Sequence, residues 1–192
     1  MLYMKHLSLS ITFVLFLVIP YVVFGSSVVI NEVMFDPEGS DTGGEWIELY
    51  NASDKQVDIS GWEIYPDGIG YITIPNGFFI GAEKFILIHL RTAGNNSATD
   101  IYQATSSSNM SNTSGSAAIF SGEPRGKDTM RSFVQWGKGG QTWESGAADA
   151  GLWEKSTFID ISSFSEGNSL GLQQDGVIAG GKNAWRILHT PT

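Results

Sequence analysis

The chain of 192 residues contains no cysteine, and this absence excludes several classes of protein. No disulfide can cross-link the fold, no lipid can be attached to a cysteine near the amino terminus, and no thiol is present to act as a nucleophile. Histidine is scarce as well, with three in the chain, of which His6 lies in the amino-terminal basic region. Because zinc sites depend on His and Cys ligands, we do not expect one here.

Positive charge is also in short supply, with 11 Lys and Arg residues against 20 Asp and Glu residues and a net charge of −9. A surface this acidic repels phosphate backbones, which dominate the affinity of proteins for nucleic acids. We therefore expect no DNA or RNA partner. Solubility is the general interpretation of the acidity.

The chain has one long apolar run, and it lies at the amino terminus. Lys5 and His6 precede the run Leu7 to Phe24, which ends at the small residue Gly25. This pattern predicts a signal peptide over residues 1–25, a mature domain over residues 26–192, and a secreted, extracellular or cell-surface location. The alternative is an uncleaved anchor, which would be the only route to a membrane.

The remaining sequence predicts an all-β fold. Short β-branched and aromatic runs alternate with turn signals every 8–12 residues, which is typical of a sandwich or barrel. Residues 28–35 form one such run, and Asn31-Glu32 interrupts it in a way that indicates a bulge or a switch between sheets. Asp175-Gly176 predicts a hairpin between residues 169–172 and Val177-Ile178.

Two segments differ from this pattern. Residues 92–116 are rich in Ser, Asn and Thr and indicate a long surface loop with at most one short strand, at Ile101-Tyr102. Residues 147–153 indicate one or two helical turns.

The stretch from Glu45 to Trp62 is the most distinctive one. Its first half alternates along a strand, a polar turn follows at residues 51–55, and extended structure resumes before Gly61-Trp62. The order E-W-I-E-L-x-N and then D-I-S-G-W resembles the lamin tail domain family, and weaker matches continue in order from Ile30 to Thr192. The resemblance implies an immunoglobulin-like β-sandwich. It also implies an accessory module of secreted or surface proteins.

The matching residues have structural explanations. Trp62 and Trp185 are expected to cover the core and to donate their indole N–H to a carbonyl. Asn51 is expected to cap the turn, and Glu48 to bind a neighbouring strand. The family-signature residues with structural roles are Trp46, Glu48, Asn51, Gly61, Trp62 and Trp185.

An acidic loop precedes this stretch and is the candidate metal site. Asp36, Glu38 and Asp41 lie in one Gly/Pro-rich loop, and oxygen ligands on such a loop suit Ca²⁺. Their spacing matches no defined calcium loop, so a solvated acidic loop is the alternative interpretation. We expect no other cofactor.

The chain shows no catalytic motif, and we expect no enzyme activity. His89 lies inside an apolar strand, and the Gly/Lys segments near residues 138 and 182 lack the spacing of phosphate loops. Trp143 and Trp153 have no explanation in the family signature. They are candidate exposed ligand contacts, unless they cover the end of the sandwich.

Three N-glycosylation sequons, at Asn95, Asn109 and Asn112, lie in the Ser/Asn-rich loop, and a fourth begins at Asn51. We hypothesise a secreted, non-enzymatic module that binds a protein or a cell-surface glycan. The alternatives are a carbohydrate- or calcium-assisted ligand binder and, ranked last, a hydrolase of unrecognised type.

Overall fold

The computed structural model describes residues 27–191, so the predicted signal peptide at residues 1–25 lies outside the described residues. The elements in chain order are β1 (Val28–Met34), β2 (Trp46–Asn51), β3 (Val57–Asp58), β4 (Glu63–Pro66), β5 (Ile72–Thr73), β6 (Phe79–Ile80), β7 (Phe85–Leu90), β8 (Asp100–Gln103), β9 (Gly115–Phe120), β10 (Met130–Trp136), helix α1 (Glu144–Asp149), β11 (Ser169–Leu172), a 3₁₀ turn (Gly181–Ala184) and β12 (Trp185–Leu188).

The strands of this region form three sheets. The largest has six strands in the order β12-β11-β1-β2-β7-β8, the second has four in the order β10-β9-β4-β5, and β3 pairs with β6 in a small third sheet. All pairs of named strands are antiparallel except β7 with β8. The predicted all-β class is confirmed.

The core lies between the two larger sheets, where β1 packs against β9 and β10. The inward positions of β2 and β7 are buried, and all of them except Asn51 are aliphatic, in the alternation that a half-exposed sheet requires. Phe35 stacks on Trp136 with their ring centroids 4.6 Å apart, and the Trp136 indole N–H donates to the Ser111 carbonyl oxygen. The buried indole therefore keeps a polar partner, as a buried Trp normally does.

The predicted bulge at Asn31 is confirmed, and the alternative switch between sheets is not observed. The register of β1 with β2 shifts between Ile30, opposite Leu49, and Glu32, opposite Glu48. β1 stays paired with β2 on both sides of the shift. The extra residue explains why apolar residues occur on both faces of the run.

The predicted hairpin at Asp175-Gly176 is wrong. β11 pairs with β12, Leu172 lies opposite Trp185, and the connection between them spans residues 173–184. Val177 and Ile178 belong to this connection and not to a strand. The turn dipeptide is real, since Gly176 has a φ of +75°, but its amide donates to the Asn31 side chain of β1.

The Ser/Asn-rich segment contains the short strand that the sequence indicated. β8 adds to the edge of the six-stranded sheet, with Ile101 beside Ile88. The segment before it covers the free side of β8: Asn96 Oδ1 accepts from the Tyr102 amide, and Ser97 exchanges hydrogen bonds with the Asp100 backbone. These bonds occupy edge groups that would otherwise pair with another chain.

Candidate functional site

The outer face of the six-stranded sheet carries side chains that the core does not use. The outward residues of β2 and β7 lie opposite one another, in the pairs Tyr50 with Phe85, Glu48 with Leu87, and Trp46 with His89. Such cross-strand neighbours are close enough to act together on a ligand.

A groove of about 630 Å³ lies on this face. We call it the outer groove; its defining residues are Glu48, Phe79, Lys84, Phe85, Leu87 and Thr99. Sites for small ligands are commonly about 300–1,000 Å³ and combine apolar walls with a few polar groups. The outer groove meets both criteria.

Two aromatic rings of the groove are open to solvent. Phe79 is 44% exposed and Phe85 is 38% exposed, whereas the other phenylalanines of residues 27–191 are more covered. Tyr50 packs against Phe85 with centroids 4.5 Å apart and a tilt of 36°. This contact holds the Phe85 ring in place, so that it offers a supported apolar surface.

Glu48 supplies a carboxyl group to the same groove. Its Oε1 accepts a 3.0 Å hydrogen bond from Asn31 Nδ2, and Oε2 makes no hydrogen bond to any residue of the described chain. Burial, opposed by the hydrogen bond from Asn31 and assisted by the charges of Glu32 and Asp175, raises the pKa of Glu48 to about 7. At neutral pH this carboxyl both donates and accepts.

Asp100 also lines the groove and is held by its neighbours. Its Oδ1 is 3.0 Å from His89 Nε2, and its Oδ2 accepts from Ser97 and Thr99. These bonds, first that of His89, keep the pKa of Asp100 below its ordinary value. The His89 ring also stacks on Tyr102, with centroids 4.3 Å apart and 7° between the planes. No Ser, Thr or Tyr hydroxyl of residues 27–191 is hydrogen-bonded to His89.

A second groove of about 280 Å³ lies between the segment after α1 and the β11–β12 connection. Its walls are glycine, alanine and the aliphatic side chains of Leu152, Val177 and Ile178. It has no charged or amide side chain to orient a ligand. The outer groove is therefore the better candidate site.

The fold brings together only two of the three acidic side chains of the loop. Asp36 and Asp41 both accept from the Asn112 amide, at 2.7 Å for Asp36, and the pKa of Asp36 is raised by burial and by the charges of Asp41 and Glu166. Glu38 is exposed and makes no hydrogen bond to either of them. Within residues 27–191, no three His, Asp or Glu side chains are placed to hold a metal ion.

Glu45 borders this loop but points into the protein. It is 1% exposed, its Oε1 accepts a 2.8 Å bond from the Met110 amide, and its Oε2 is buried without a partner in the described chain. Burial raises its pKa to about 8; the Met110 bond lowers it, the Asp41 charge raises it, and Arg91 lowers it. Glu45 is therefore mainly neutral at pH 7.

The expectation that Trp153 is an exposed contact is wrong. Trp153 is 5% exposed, packs edge-on against Phe133 with centroids 5.5 Å apart, and donates its indole N–H to the Thr157 carbonyl oxygen. It covers the end of the sandwich, which was the alternative interpretation. A Gly/Ala-rich neighbourhood does not reveal this, because the covering partner lies on β10.

Trp143 is half-buried and has an unusual backbone. It precedes α1 with a φ of +72°, a conformation that L residues with bulky side chains rarely adopt. Its ring contacts Phe120 edge-on, and its indole N–H donates 3.0 Å to the Tyr71 hydroxyl. Side-chain contacts therefore hold it in a strained conformation.

Asn51 has the structural role that the sequence predicted for it. Asn51 is fully buried, and its side chain binds Ser53, Lys55, Ile80 and Gly81. This is the predicted turn cap, extended to a second strand.

Gly61 has a φ of +73°, which explains why glycine occupies this position. Trp62 and Trp185 pack against the core as predicted. Neither makes the expected indole bond to a carbonyl within the described residues. Instead, the indoles of Trp136 and Trp153 make such bonds.

The three loop sequons differ in access. Asn95 is exposed, with no side-chain hydrogen bond in the described residues. Asn109 is half-buried between Arg91 and Asp41, and the Asn112 amide binds Asp36. An N-linked glycan is attached to the amide nitrogen, so on Asn109 or Asn112 it would compete with the bonds from that nitrogen to Asp41 and Asp36.

The two facing sheets define the class of the protein, an immunoglobulin-like β-sandwich. Residues 25–149 match the family model described as Lamin Tail Domain. The match covers more than half of the chain, so this protein belongs to that family. β11 and β12 lie beyond the matched residues but complete the same six-stranded sheet.

No curated protein matches the chain. Among the helices of residues 27–191, none combines the length and the apolar character that a membrane crossing requires.

Phe79 and Phe85 were missed by sequence reasoning, although a signal was present. In residues 84–90 the buried positions are Ile86, Ile88 and Leu90, and a polar outer face would place polar residues between them. Phe85 and Leu87 occupy those outward positions instead. Large apolar residues at these outward positions are unusual for a sheet with one solvated face.

Proposed function

We propose that this protein is a secreted, non-catalytic binding module that contacts an extracellular or cell-surface partner through the outer groove. The observation that carries the proposal is the groove itself, with two exposed aromatic rings next to an incompletely bonded carboxyl group. Aromatic residues, phenylalanine included, are enriched in protein interfaces relative to the rest of the surface.

The fold supports a non-catalytic role, since the immunoglobulin-like fold of this family is typically non-catalytic. Secretion is supported by the sequence, because the family match begins at residue 25, directly after the apolar run. Sequencing the amino terminus of the protein recovered outside the cell tests this part. A terminus at Ser26 supports cleavage, and retention of the whole chain inside the cell contradicts it.

Binding is tested with the protein purified from a secreting host and applied to two arrays, one of neutral and acidic glycans and one of extracellular matrix and cell-envelope proteins. The variants are Phe85→Ala and Phe79→Ala. Val177→Ala is the matched control, because Val177 is 40% exposed and belongs to the other groove. We expect binding to at least one array that both groove variants weaken at least tenfold and the control does not.

The melting temperature of each variant is measured alongside, to show that it is folded. A folded protein that binds neither array contradicts the proposal. Equal binding by the groove variants and the control contradicts the assigned surface.

A further inference from the structure

We propose that the outer groove binds a neutral glycan, with the apolar face of a sugar ring on Phe85 and its hydroxyl groups bonded to Glu48 and Gln56. This inference rests on the proposed binding function and names the chemical class of its ligand.

Apolar side chains form part of the lining of the groove. Phe79 and Phe85 leave 44% and 38% of their surface to solvent, and Tyr50 supports the Phe85 ring from one side. Leu87 lies next to Phe85 along the outward face of β7 and also lines the groove. A sugar ring presents a flat patch of C–H groups of similar size, and covering an aromatic ring with it removes apolar surface from water.

Glu48 and Gln56 add polar groups to the same lining. Glu48 is fixed through Oε1 by Asn31, which leaves Oε2 without a hydrogen bond in the described chain. Gln56 lines the groove, is exposed, and has no side-chain hydrogen bond among residues 27–191. A carboxyl group near its pKa and a carboxamide each donate and accept, as sugar hydroxyl groups do.

The charges in the groove disfavour acidic glycans. Glu48 and Asp100 line the groove, and the charges of Glu32 and Asp175 reach Glu48. Lys84 is the one positive side chain in the lining. A sulfated or uronic-acid glycan would meet net repulsion here.

A basic peptide is a weaker fit than a neutral glycan. Asp100 already accepts from His89, Ser97 and Thr99, so it has little capacity left for a cation. Glu48 carries only about half a charge near neutral pH, since its pKa is raised to about 7. Lys84 adds repulsion against a positive ligand.

The test is a titration at pH 7 of the full chain, purified from a secreting host, with four soluble probes. The probes are cellotriose and mannotriose as neutral glycans, trigalacturonic acid as the anionic one, and trilysine as the basic peptide. We expect a neutral trisaccharide to bind and the anionic one to bind at least tenfold more weakly. Phe85→Ala should weaken binding at least tenfold, and Val177→Ala should leave it unchanged.

Glu48 is tested by a pair of variants. Glu48→Gln keeps an oxygen for Asn31 and a group that donates and accepts, so binding should stay within about threefold of the native chain, whereas Glu48→Ala should lose at least tenfold. Equal losses in the two variants, or none in either, contradict the role given to Glu48. Isothermal calorimetry supplies the affinities, and circular dichroism confirms folding.

The outcomes separate the two proposals. Binding of trilysine but of no trisaccharide overturns the proposal that the ligand is a neutral glycan, and it leaves the proposal of a binding module intact. If a trisaccharide binds and Phe85→Ala does not weaken that binding, the outer groove is not the binding site. Absence of binding to all four probes, with a protein-array signal that the groove variants abolish, also overturns the glycan alone. Absence on both arrays overturns both proposals.

Discussion

The buried carboxyl group of Glu45 should make the stability of the protein depend on pH. Its carboxyl group is 1% exposed and its pKa is raised to about 8. In the unfolded chain the same group has a pKa of 4.5. The variant Glu45→Gln keeps an oxygen for the Met110 amide and removes the titration.

The sign follows from the protons bound in each state. Between pH 4.5 and 8 the folded chain holds a proton on Glu45 that the unfolded chain has released, so the contribution to stability is full at low pH and is lost as pH rises. At about 1.36 kcal/mol per pKa unit, the upper limit of the loss is on the order of 5 kcal/mol. Relaxation and water penetration reduce such penalties, and we expect on the order of 2 kcal/mol.

Urea unfolding of the native chain and Glu45→Gln at several pH values between 5 and 8.5 measures this term. The free energy of unfolding should be similar for the two proteins at pH 5. As pH rises, that of the variant should exceed that of the native chain by a steadily larger amount. Glu38→Gln, an exposed acid of the same loop, is the control and should differ from the native chain by less than about 0.5 kcal/mol throughout. A variant that becomes less stable than the native chain at pH 8 would refute the reasoning, because Glu45 would then be ionised and stabilised by Arg91.

Three further predictions concern structural residues. Asn51→Ala should cost about 3 kcal/mol in urea unfolding, since it leaves buried backbone carbonyl groups unpaired; a loss below about 1 kcal/mol would contradict the described network. Trp153→Ala should lower the free energy of unfolding by about 3–5 kcal/mol and leave the affinity of the folded fraction unchanged. A loss of binding without a loss of stability would show instead that Trp153 contacts the ligand. Trp143→Gly should be more stable than Trp143→Ala by about 1 kcal/mol, because glycine tolerates the positive φ; the reverse order would show that the native φ is not strained.

Local patterns in the sequence were sufficient for the fold because the signals involved are short-range. The alternation from Trp46 to Tyr50, the interruption at Asn31 and the turn at Asn51 each depend on neighbours within a few residues, and each is found as predicted. The hairpin at Asp175 failed for the opposite reason. Its turn signal is local, but the pairing of β11 with β12 is decided by packing over a longer connection.

The site was harder to predict because it depends on which residues lack a partner. Trp153 and Trp143 looked available in the sequence, yet Phe133 and Phe120, which come from distant strands, cover them. Phe85 looked like an ordinary strand residue, and only the structure shows its exposed ring. Apolar residues on both faces of β7 were a local signal of an unusual outer face, but exposure itself depends on how the sheets assemble.

Glu48 shows the same limit. Its place on the outward face followed from alternation, and its bond to Asn31 follows from the bulge. Its raised pKa comes first from burial, with smaller contributions from the charges of Glu32 and Asp175, and Asp175 lies in the connection before β12. A residue with a structural role in the signature thus also belongs to the outer groove.

The measurement that tests the binding surface most directly is a map of amide chemical shifts in the isotopically labelled chain during titration with the trisaccharide or surface protein that it binds. If the outer groove is the contact surface, the largest changes will lie around Glu48 and Gln56, in β6, in β7 and in residues 98–100, and the acidic loop at residues 36–41 will not shift. Changes concentrated in that loop or around Trp143, with β7 unaffected, would contradict the assignment of function to the outer groove.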